Sequence, residues 1–501
     1  MVSMTDLLTG LTVGNSFLQS LSTELIATTP ETTPVESTPL ALAGVLVSLV
    51  VVYFSSKLGG EICARINLPP VLGELVAGVL VGISALHLVI FPEGGGNAGS
   101  SLIIHLMEAT AGLTPQAAEA TFRSQSEVVH ILSELGVVIL LFEIGLESDL
   151  KELLRVGPQA TLVAVIGVIT PFALGTIGLI ALFHVPTVPA IFAGAALTAT
   201  SIGITAKVLA ELGRLSSREG QIIIGAAVMD DVLGIIVLAV VASLARDGEV
   251  RVENVIYLII SSAAFLVGSI WLGRLLSPYF VALVDQLKTR GQLLLSSLIF
   301  AFVLSYVAVA IQLEAILGAF AAGLILAETD KRKDLEKQVV PIADMLVPVF
   351  FVVVGASTDV SVLNPFVPEN REGLIMSSFL IAVAIVGKVV TGFTVFGQPG
   401  INRWAIGVGM IPRGEVGLVF AAVGSSSGAL SKPLEAAIIV MVILTTFLAP
   451  PFLRVAFRSG ESTNSSEPAA LADNSREGLE IESTPMDSAM ADLDRADPTP
   501  D

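Results

Sequence analysis

The chain has 501 residues, of which 53% are hydrophobic and only 14% are charged, and its formal net charge is −19. A soluble protein of this length would need more charged side chains to cover its surface, so the composition indicates a membrane protein. The acidic balance gives no support to nucleic-acid binding, and the single cysteine, Cys63, excludes an internal disulfide and a cysteine-based metal site.

The first segment, residues 1–38, contains no lysine or arginine and therefore resembles neither a secretory signal nor a transit peptide. It combines a weakly amphipathic stretch with a Thr/Pro/Glu-rich stretch. We predict an N-terminal extension that lies outside the cytoplasm or on the membrane surface.

Thirteen apolar runs follow between residues 39 and 458, most of them long enough to cross a bilayer. They centre on 40–57, 69–90, 127–146, 158–183, 187–210, 218–245, 253–277, 290–311, 315–328, 341–357, 372–396, 402–427 and 434–456. Successive loops between the runs lie on alternate sides of the membrane. The side whose first loop contains Lys57 has seventeen lysine and arginine residues, and the other side has five. Because positive loops stay in the cytoplasm, this predicts an outside N-terminus and a cytoplasmic C-terminus.

The last segment, residues 459–501, holds eleven acidic residues and two arginines. It is rich in Ser, Pro, Asp and Glu and has little apolar surface to bury, so we predict a disordered acidic cytoplasmic tail. The segment has no G-x-G-x-x-G motif, and we expect no nucleotide-binding regulatory domain in the chain.

A few ionisable residues fall inside the apolar runs, where each charge costs about 2.5–3.5 kcal/mol at a helix centre. They are Glu143, Asp230, Asp231, Lys388, Arg413 and Glu415. In "GAAVMDDVLGIIVLAVV" (225–241) the two aspartates are consecutive, so their side chains point about 100° apart on a helix. We therefore predict that one aspartate pairs with Lys388 and that the other faces a cavity open to a solvent ion.

Two runs carry signs of interrupted helices. "AALTATSIGITAKVL" (195–209) is dominated by small and hydroxyl residues, and in "GVGMIPRGEVG" (407–417) Pro412 lies between two glycines. Close helix packing through small residues is the alternative interpretation of the first run. The two runs are the fifth and the twelfth predicted spans, seven spans apart, so they cross the membrane in opposite directions. This arrangement is typical of inverted-topology repeats and points to a transport site near the membrane midplane.

Together, "TATSIGITAKVLAELG", "GAAVMDDVLGIIVLAV", Lys388 and "PRGEVGLV" resemble the monovalent cation:proton antiporter superfamily, and above all its Nap-type bacterial sodium/proton antiporters. The resemblance runs over roughly residues 40 to 457. Kef-type potassium efflux systems are cousins, but they usually carry glutamine where Asp230 stands. The resemblance implies an all-α polytopic membrane protein of about 13 transmembrane helices, with inverted repeats, two broken crossing helices, core helices at about 158–245 and 372–456, and a homodimeric assembly.

The resemblance also implies roles for individual residues. Asp231 would bind the transported Na⁺ or Li⁺ and the proton in turn, and Asp230 would pair with Lys388. Thr200 and Ser201 would supply hydroxyl and carbonyl oxygens where the fifth run unwinds. No cofactor is expected besides the transported ions.

Arg413 and Glu415 would support the second interrupted helix. The implied function is a secondary antiporter, not an enzyme, which exchanges Na⁺ or Li⁺ for H⁺ by alternating access in the plasma membrane, with an internal membrane as the alternative. We hypothesise that the exchange is electrogenic, because breaking the Asp230–Lys388 pair would release a second proton.

Three alternatives stay open. Potassium/proton exchange by the same fold is the main one, because carboxylate chemistry alone does not separate Na⁺ from K⁺. An intramembrane aspartyl protease is distant, because its two aspartates stand on facing helices and this chain has no GxGD stretch. A purely structural role as interhelical contacts would account for Asp230 with Lys388 but not for Asp231.

Overall fold

A computed structural model of the chain describes residues 37–464, apart from residues 93–94, 248–251, 367 and 397–399. Within these ranges a few side chains, Glu415 among them, are not described. Nearly all of the predicted N-terminal extension and the predicted tail beyond Asn464 lie outside the described residues.

The described residues form α-helices and two short 3₁₀ helices, and they contain no β-strand. In chain order the α-helices are α1 (Ser37–Arg65), α2 (Pro70–Val81), α3 (Leu102–Ala111), α4 (Pro115–Glu147), α5 (Leu150–Phe183), α6 (Thr187–Ala196), α7 (Ile202–Glu211), α8 (Arg218–Asp247), α9 (Val252–Gln286), α10 (Gln292–Ala310), α11 (Ala315–Ala327), α12 (Arg332–Ala356), α13 (Pro368–Gly392), α14 (Arg403–Gly409), α15 (Glu415–Ser426) and α16 (Lys432–Asn464).

Each of the thirteen predicted spans coincides with one helix or with a pair of short helices, so the prediction of an all-α membrane protein is confirmed. Within the described ranges, nine helices are long and apolar enough to cross a membrane, and five shorter apolar helices accompany them. Many large apolar side chains on these helices are exposed, for example Leu295 and Ile299 on α10, as expected for surfaces that face lipid. The count of thirteen crossings stays a prediction.

Two boundaries differ from the sequence-based expectation. The long loop expected at 91–126 contains α3, and its last residues form the start of α4, which begins at Pro115. Pro115 occupies the first turn, where a proline costs no hydrogen bond, and the Thr114 side chain caps the helix by accepting a bond from Ala117 N. At the other end of the chain, α16 continues to Asn464, past the predicted boundary at 458.

The helices pack in two groups. The first, called here the scaffold group, consists of α1, α2, α4, α10, α11 and α12, whose most extensive contacts are with one another. The second, called here the site group, consists of α5, α6, α8, α13, α14 and α15, and α16 packs into its apolar core. Helix α7 contacts both groups, and α9 links them. The core ranges predicted from the sequence, 158–245 and 372–456, contain α7 as well as helices of the site group, and their role as the core stays a prediction.

Close backbone contacts hold the scaffold group together. A Cβ atom added to Gly78 on α2 would lie 2.4 Å from Val352 O, and one added to Gly355 on α12 would lie 2.2 Å from Leu75 O. Neither position has room for a side chain, so the two helices touch through their backbones. A surface packed this closely does not deform easily.

Candidate functional site

The prediction of two interrupted helices is confirmed. The fifth span is divided into α6 and α7 by residues 197–201, and the twelfth into α14 and α15 by residues 410–414. The two interruptions meet, because Ser201 N donates a hydrogen bond to Pro412 O at 2.8 Å. Four helix ends therefore converge on one region inside the site group.

An interrupted helix inside a membrane needs partners for the backbone groups that the break releases. Hydroxyl groups supply several of them here. Thr205 Oγ1 donates to Gly409 O at 3.1 Å, and Thr446 Oγ1, on α16, donates to Arg413 O at 2.6 Å. The Arg413 guanidinium donates through Nη1 to Ala199 O in the other interruption. Each interruption is therefore stabilised by groups from the opposite half of the site.

Asp230, on α8, is fully buried and lies at the centre of a charged hydrogen-bond group. Lys388 Nζ, on α13, donates to Asp230 Oδ2 at 2.7 Å, and both side chains have 0% exposure. Thr200 Oγ1 lies 2.6 Å from the same oxygen and 3.1 Å from Met410 O. A hydroxyl has one proton to donate, and the shorter distance directs that proton to Asp230.

Asp231, the next residue, points to a different environment, as the helical geometry predicted. Its side chain is 3% exposed and lines a small cavity of about 10 Å³. The cavity is formed by the two interruptions, the adjoining helix starts and one residue of α11; its lining residues are Ala199, Thr200, Ser201, Ile202, Asp231, Ile316, Gly414 and Val416. A cavity of this volume holds about one water molecule, so it has no room for a fully hydrated cation.

Three of the residues that line this cavity, Asp231, Thr200 and Ser201, carry oxygen atoms suited to a hard cation. Ser201 precedes α7, and its hydroxyl makes no capping hydrogen bond, so it is available to a ligand. The Thr200 hydroxyl is engaged with Asp230, which leaves its backbone oxygen as the group that Thr200 can offer. Carboxylate, hydroxyl and carbonyl oxygens are the ligands that small monovalent cations prefer.

Arg413 adds a second buried cation to the site. It has 0% exposure, and its Nε and Nη2 atoms have no hydrogen-bond partner among the described residues. Asp230 attracts it electrostatically. Asp230 therefore has two buried cations in its surroundings, Lys388 and Arg413. Glu415 begins α15, but its predicted supporting role falls on a side chain outside the described residues.

Glu143, the remaining intramembrane acid, lies elsewhere. On α4, its electrostatic neighbours are Lys207, Glu147 and Asp344, and not the aspartates of α8. Lys207 likewise attracts Glu211, whose Oε2 accepts a 3.5 Å hydrogen bond from Val71 N in the scaffold group. Glu143 therefore belongs to an acidic group around α7, separate from the site.

Thr446 and Ile316 are among the residues of the site that sequence reasoning did not identify. Thr446 gave a weak signal, because it is a hydroxyl residue inside an apolar run and such residues satisfy buried carbonyls. Ile316 gave none, because it is one of many apolar residues in the ninth run.

Comparisons with known proteins agree with this geometry. The family model described as "Sodium/hydrogen exchanger, transmembrane" matches residues 45–458. The chain is 69% identical to the high-affinity Na⁺/H⁺ antiporter NhaS3 of Synechocystis sp. over 443 residues, which cover 88% of this chain and 96% of that protein. It is 31% identical to the Na⁺/H⁺-K⁺ antiporter GerN of Bacillus cereus, over 82% of this chain and 95% of GerN.

A solved structure supports the fold. The sodium proton antiporter MjNhaP1 of Methanocaldococcus jannaschii, determined at pH 8, superposes with a TM-score of 0.54 and 16% sequence identity. The superposition covers 85% of this chain and 98% of that chain. The helices described above therefore have the antiporter fold.

Proposed function

Because the chain belongs to the sodium/hydrogen exchanger family, we propose that it is a secondary antiporter that exchanges Na⁺ for H⁺ at Asp231. The observation that carries this proposal is the position of Asp231 in a small oxygen-lined cavity beside the Asp230–Lys388 pair. The relation to NhaS3, named a high-affinity Na⁺/H⁺ antiporter, supports Na⁺ as the cation. The protein is a multi-pass membrane transporter and not an enzyme.

Exchange follows from competition for one carboxylate. A cation needs the negative charge of Asp231, and a proton on Asp231 removes that charge. Since the cavity holds about one water molecule, cation and proton occupy it in turn. Li⁺, also a hard cation, is accepted by the same oxygens.

Alternating access requires that the loaded site be exposed to each side of the membrane in turn. We attribute this step to movement of the site group against the scaffold group, which is closely packed through glycine contacts. An ionised Asp231 with neither a transported cation nor a proton bound would have to carry its charge past apolar side chains, at a cost of several kcal/mol. Only the cation-bound and protonated forms then move, and exchange is obligatory.

The Asp230–Lys388 pair supports an electrogenic cycle. If cation binding at Asp231 weakens this pair, a second proton leaves the site, and each turnover carries net charge. Flux that does not respond to a clamped membrane potential would contradict this part of the proposal.

We place the protein in the plasma membrane by default. The N-terminus is outside and the C-terminus is in the cytoplasm, because seventeen of the loop lysine and arginine residues fall on one side. We also propose a homodimer, as the resemblance implies. Cross-linking in native membranes measures the assembly, and a uniformly monomeric product would exclude it.

The test is ion exchange in proteoliposomes, with Na⁺, Li⁺ or K⁺ added against a pH gradient. We expect the native protein to exchange Na⁺ and Li⁺ and Asp231→Asn to show no exchange. The matched control is Asp334→Asn, the same chemical change at an exposed aspartate on α12, which retains native flux. Exchange by Asp231→Asn at the native rate refutes the proposal.

Potassium is the second candidate cation. The relation to GerN, whose name includes K⁺, favours testing it in the same assay. Flux driven by K⁺ as strongly as by Na⁺ would reassign the cation and leave Asp231 as the carrier.

A further inference from the structure

The cavity beside Asp231 has one wall that does not belong to the interrupted helices. Among the described residues that line it, seven lie on the two interruptions, the adjoining helix starts and α8, and Ile316 alone comes from the scaffold group. Ile316 is the second residue of α11 and is 7% exposed. Its side chain closes the cavity from outside the site group.

Helix α11, which carries Ile316, is closely packed within the scaffold group. Eleven of its thirteen residues are buried, and it packs mainly on α4 and α10. A Cβ atom added to Gly318 would lie 2.4 Å from Leu304 O, so α11 and α10 touch through their backbones two residues beyond Ile316. The position of Ile316 is therefore set by the scaffold group and does not follow the ion site.

The turn before α11 carries two polar side chains, with the buried Leu313 between them. Gln312, which has a φ of +67°, is exposed, Glu314 is half-buried, and Ile316 is buried against the cavity. Ile316 thus follows a turn with polar side chains and lies near the start of α11. The charge asymmetry of the loops assigns residues 311–314 to the extracytoplasmic side.

We propose that Ile316 is the extracytoplasmic barrier of the ion site, an apolar side chain that prevents water and ions from reaching Asp231 from that side until the site group moves. The inference rests on the proposed function of Asp231. Ile316 is 7% exposed, and the cavity that it lines with Asp231 holds about one water molecule. The Ile316 side chain offers no polar contact to a dehydrated cation or to a proton.

Removing this side chain removes the barrier without removing an ion ligand. In Ile316→Ala, water reaches Asp231 from the extracytoplasmic side while the site stays accessible from the other side during its cycle. Protons and Na⁺ then cross without exchange. The expected effect is a leak, and a loss of binding is not expected.

The experiment measures passive H⁺ and Na⁺ entry into proteoliposomes, each ion driven by a membrane potential with no counter-gradient of the other. We expect Ile316→Ala to increase the leak at least about tenfold over the native protein, equivalent to a barrier lowered by roughly 1.4 kcal/mol. The matched control is Ile325→Ala, the same deletion at a 2%-exposed position nine residues further along α11. This control stays as tightly coupled as the native protein.

A double variant identifies the path. Ile316→Ala combined with Asp231→Asn should lose the proton leak, because the leaking protons pass through the carboxylate. A leak that persists in the double variant, an equal leak in Ile325→Ala, or a native leak in Ile316→Ala overturns the inference. If Ile316→Ala does not fold, Ile316→Val decides: a leak above native supports the barrier, and a native leak refutes it.

The two proposals fail separately. If Ile316→Ala exchanges ions without a leak, the barrier proposal is refuted and the proposed role of Asp231 is unaffected. Native exchange by Asp231→Asn, in a protein with Ile316 intact, refutes the proposed function itself.

Discussion

Replacing Lys388 by methionine tests whether the buried ion pair stabilises the site. The substitution keeps the length of the side chain but removes the charge that faces Asp230 at 2.7 Å, where both groups have 0% exposure. Asp230 is then left with the Thr200 hydroxyl at 2.6 Å and the more diffuse attraction of Arg413. Oδ1 of Asp230 has no hydrogen-bond partner among the described residues, so it gives no further compensation.

The magnitude follows from the distance. At an effective dielectric constant of 20, two unit charges 2.7 Å apart attract by about 6 kcal/mol. Desolvation of both groups cancels much of this attraction, and removal of one partner from a buried pair costs about 3–5 kcal/mol. Because Thr200 and Arg413 still stabilise Asp230, we expect the free energy of unfolding of Lys388→Met to fall by about 3 kcal/mol.

The assay is denaturant unfolding in mixed micelles for the native protein, Lys388→Met, Asp230→Asn and the double variant. The double variant should lose less stability than the two single variants combined, because it leaves no uncompensated charge. Additivity of the two single variants within about 0.5 kcal/mol would refute the reasoning.

Two further predictions concern the cavity. Gly414→Ala places a Cβ atom 2.9 Å from Ser201 Oγ, so the hydroxyl must move into the cavity, and we expect the maximal exchange rate to fall by on the order of tenfold or more. Gly157→Ala, where no atom lies within 4 Å of the added Cβ, is the control, and equal rates in the two variants would contradict this expectation. Competition at Asp231 predicts that the KM for Na⁺ rises by up to about tenfold per unit fall in pH, at constant maximal rate, because one proton competes for one carboxylate. A maximal rate that falls while KM stays constant would instead indicate a proton bound elsewhere.

Several features were predictable because their physical causes are local. An apolar run of sufficient length forms a membrane helix wherever it occurs, and each of the thirteen runs coincides with helical structure. Pro412 between two glycines interrupts a helix without help from distant residues. The pairing of one of the two aspartates with Lys388 was also predictable, because charges inside a membrane are few and each needs a partner. The family resemblance implied that this aspartate is Asp230, which lies 158 positions from Lys388.

Other features depend on the packing of distant helices. Nothing in the apolar run 315–328 distinguishes Ile316 from its buried neighbours, and only the meeting of α11 with the two interruptions places it beside Asp231. Glu143 looks like the other intramembrane acids in the sequence, yet the structure surrounds it with Lys207 and Asp344. The sequence by itself determined which residues are apolar, charged or helix-breaking, because those properties belong to single residues and short runs. Only the tertiary structure decided which of them share a cavity, because that depends on how helices from opposite ends of the chain fit together.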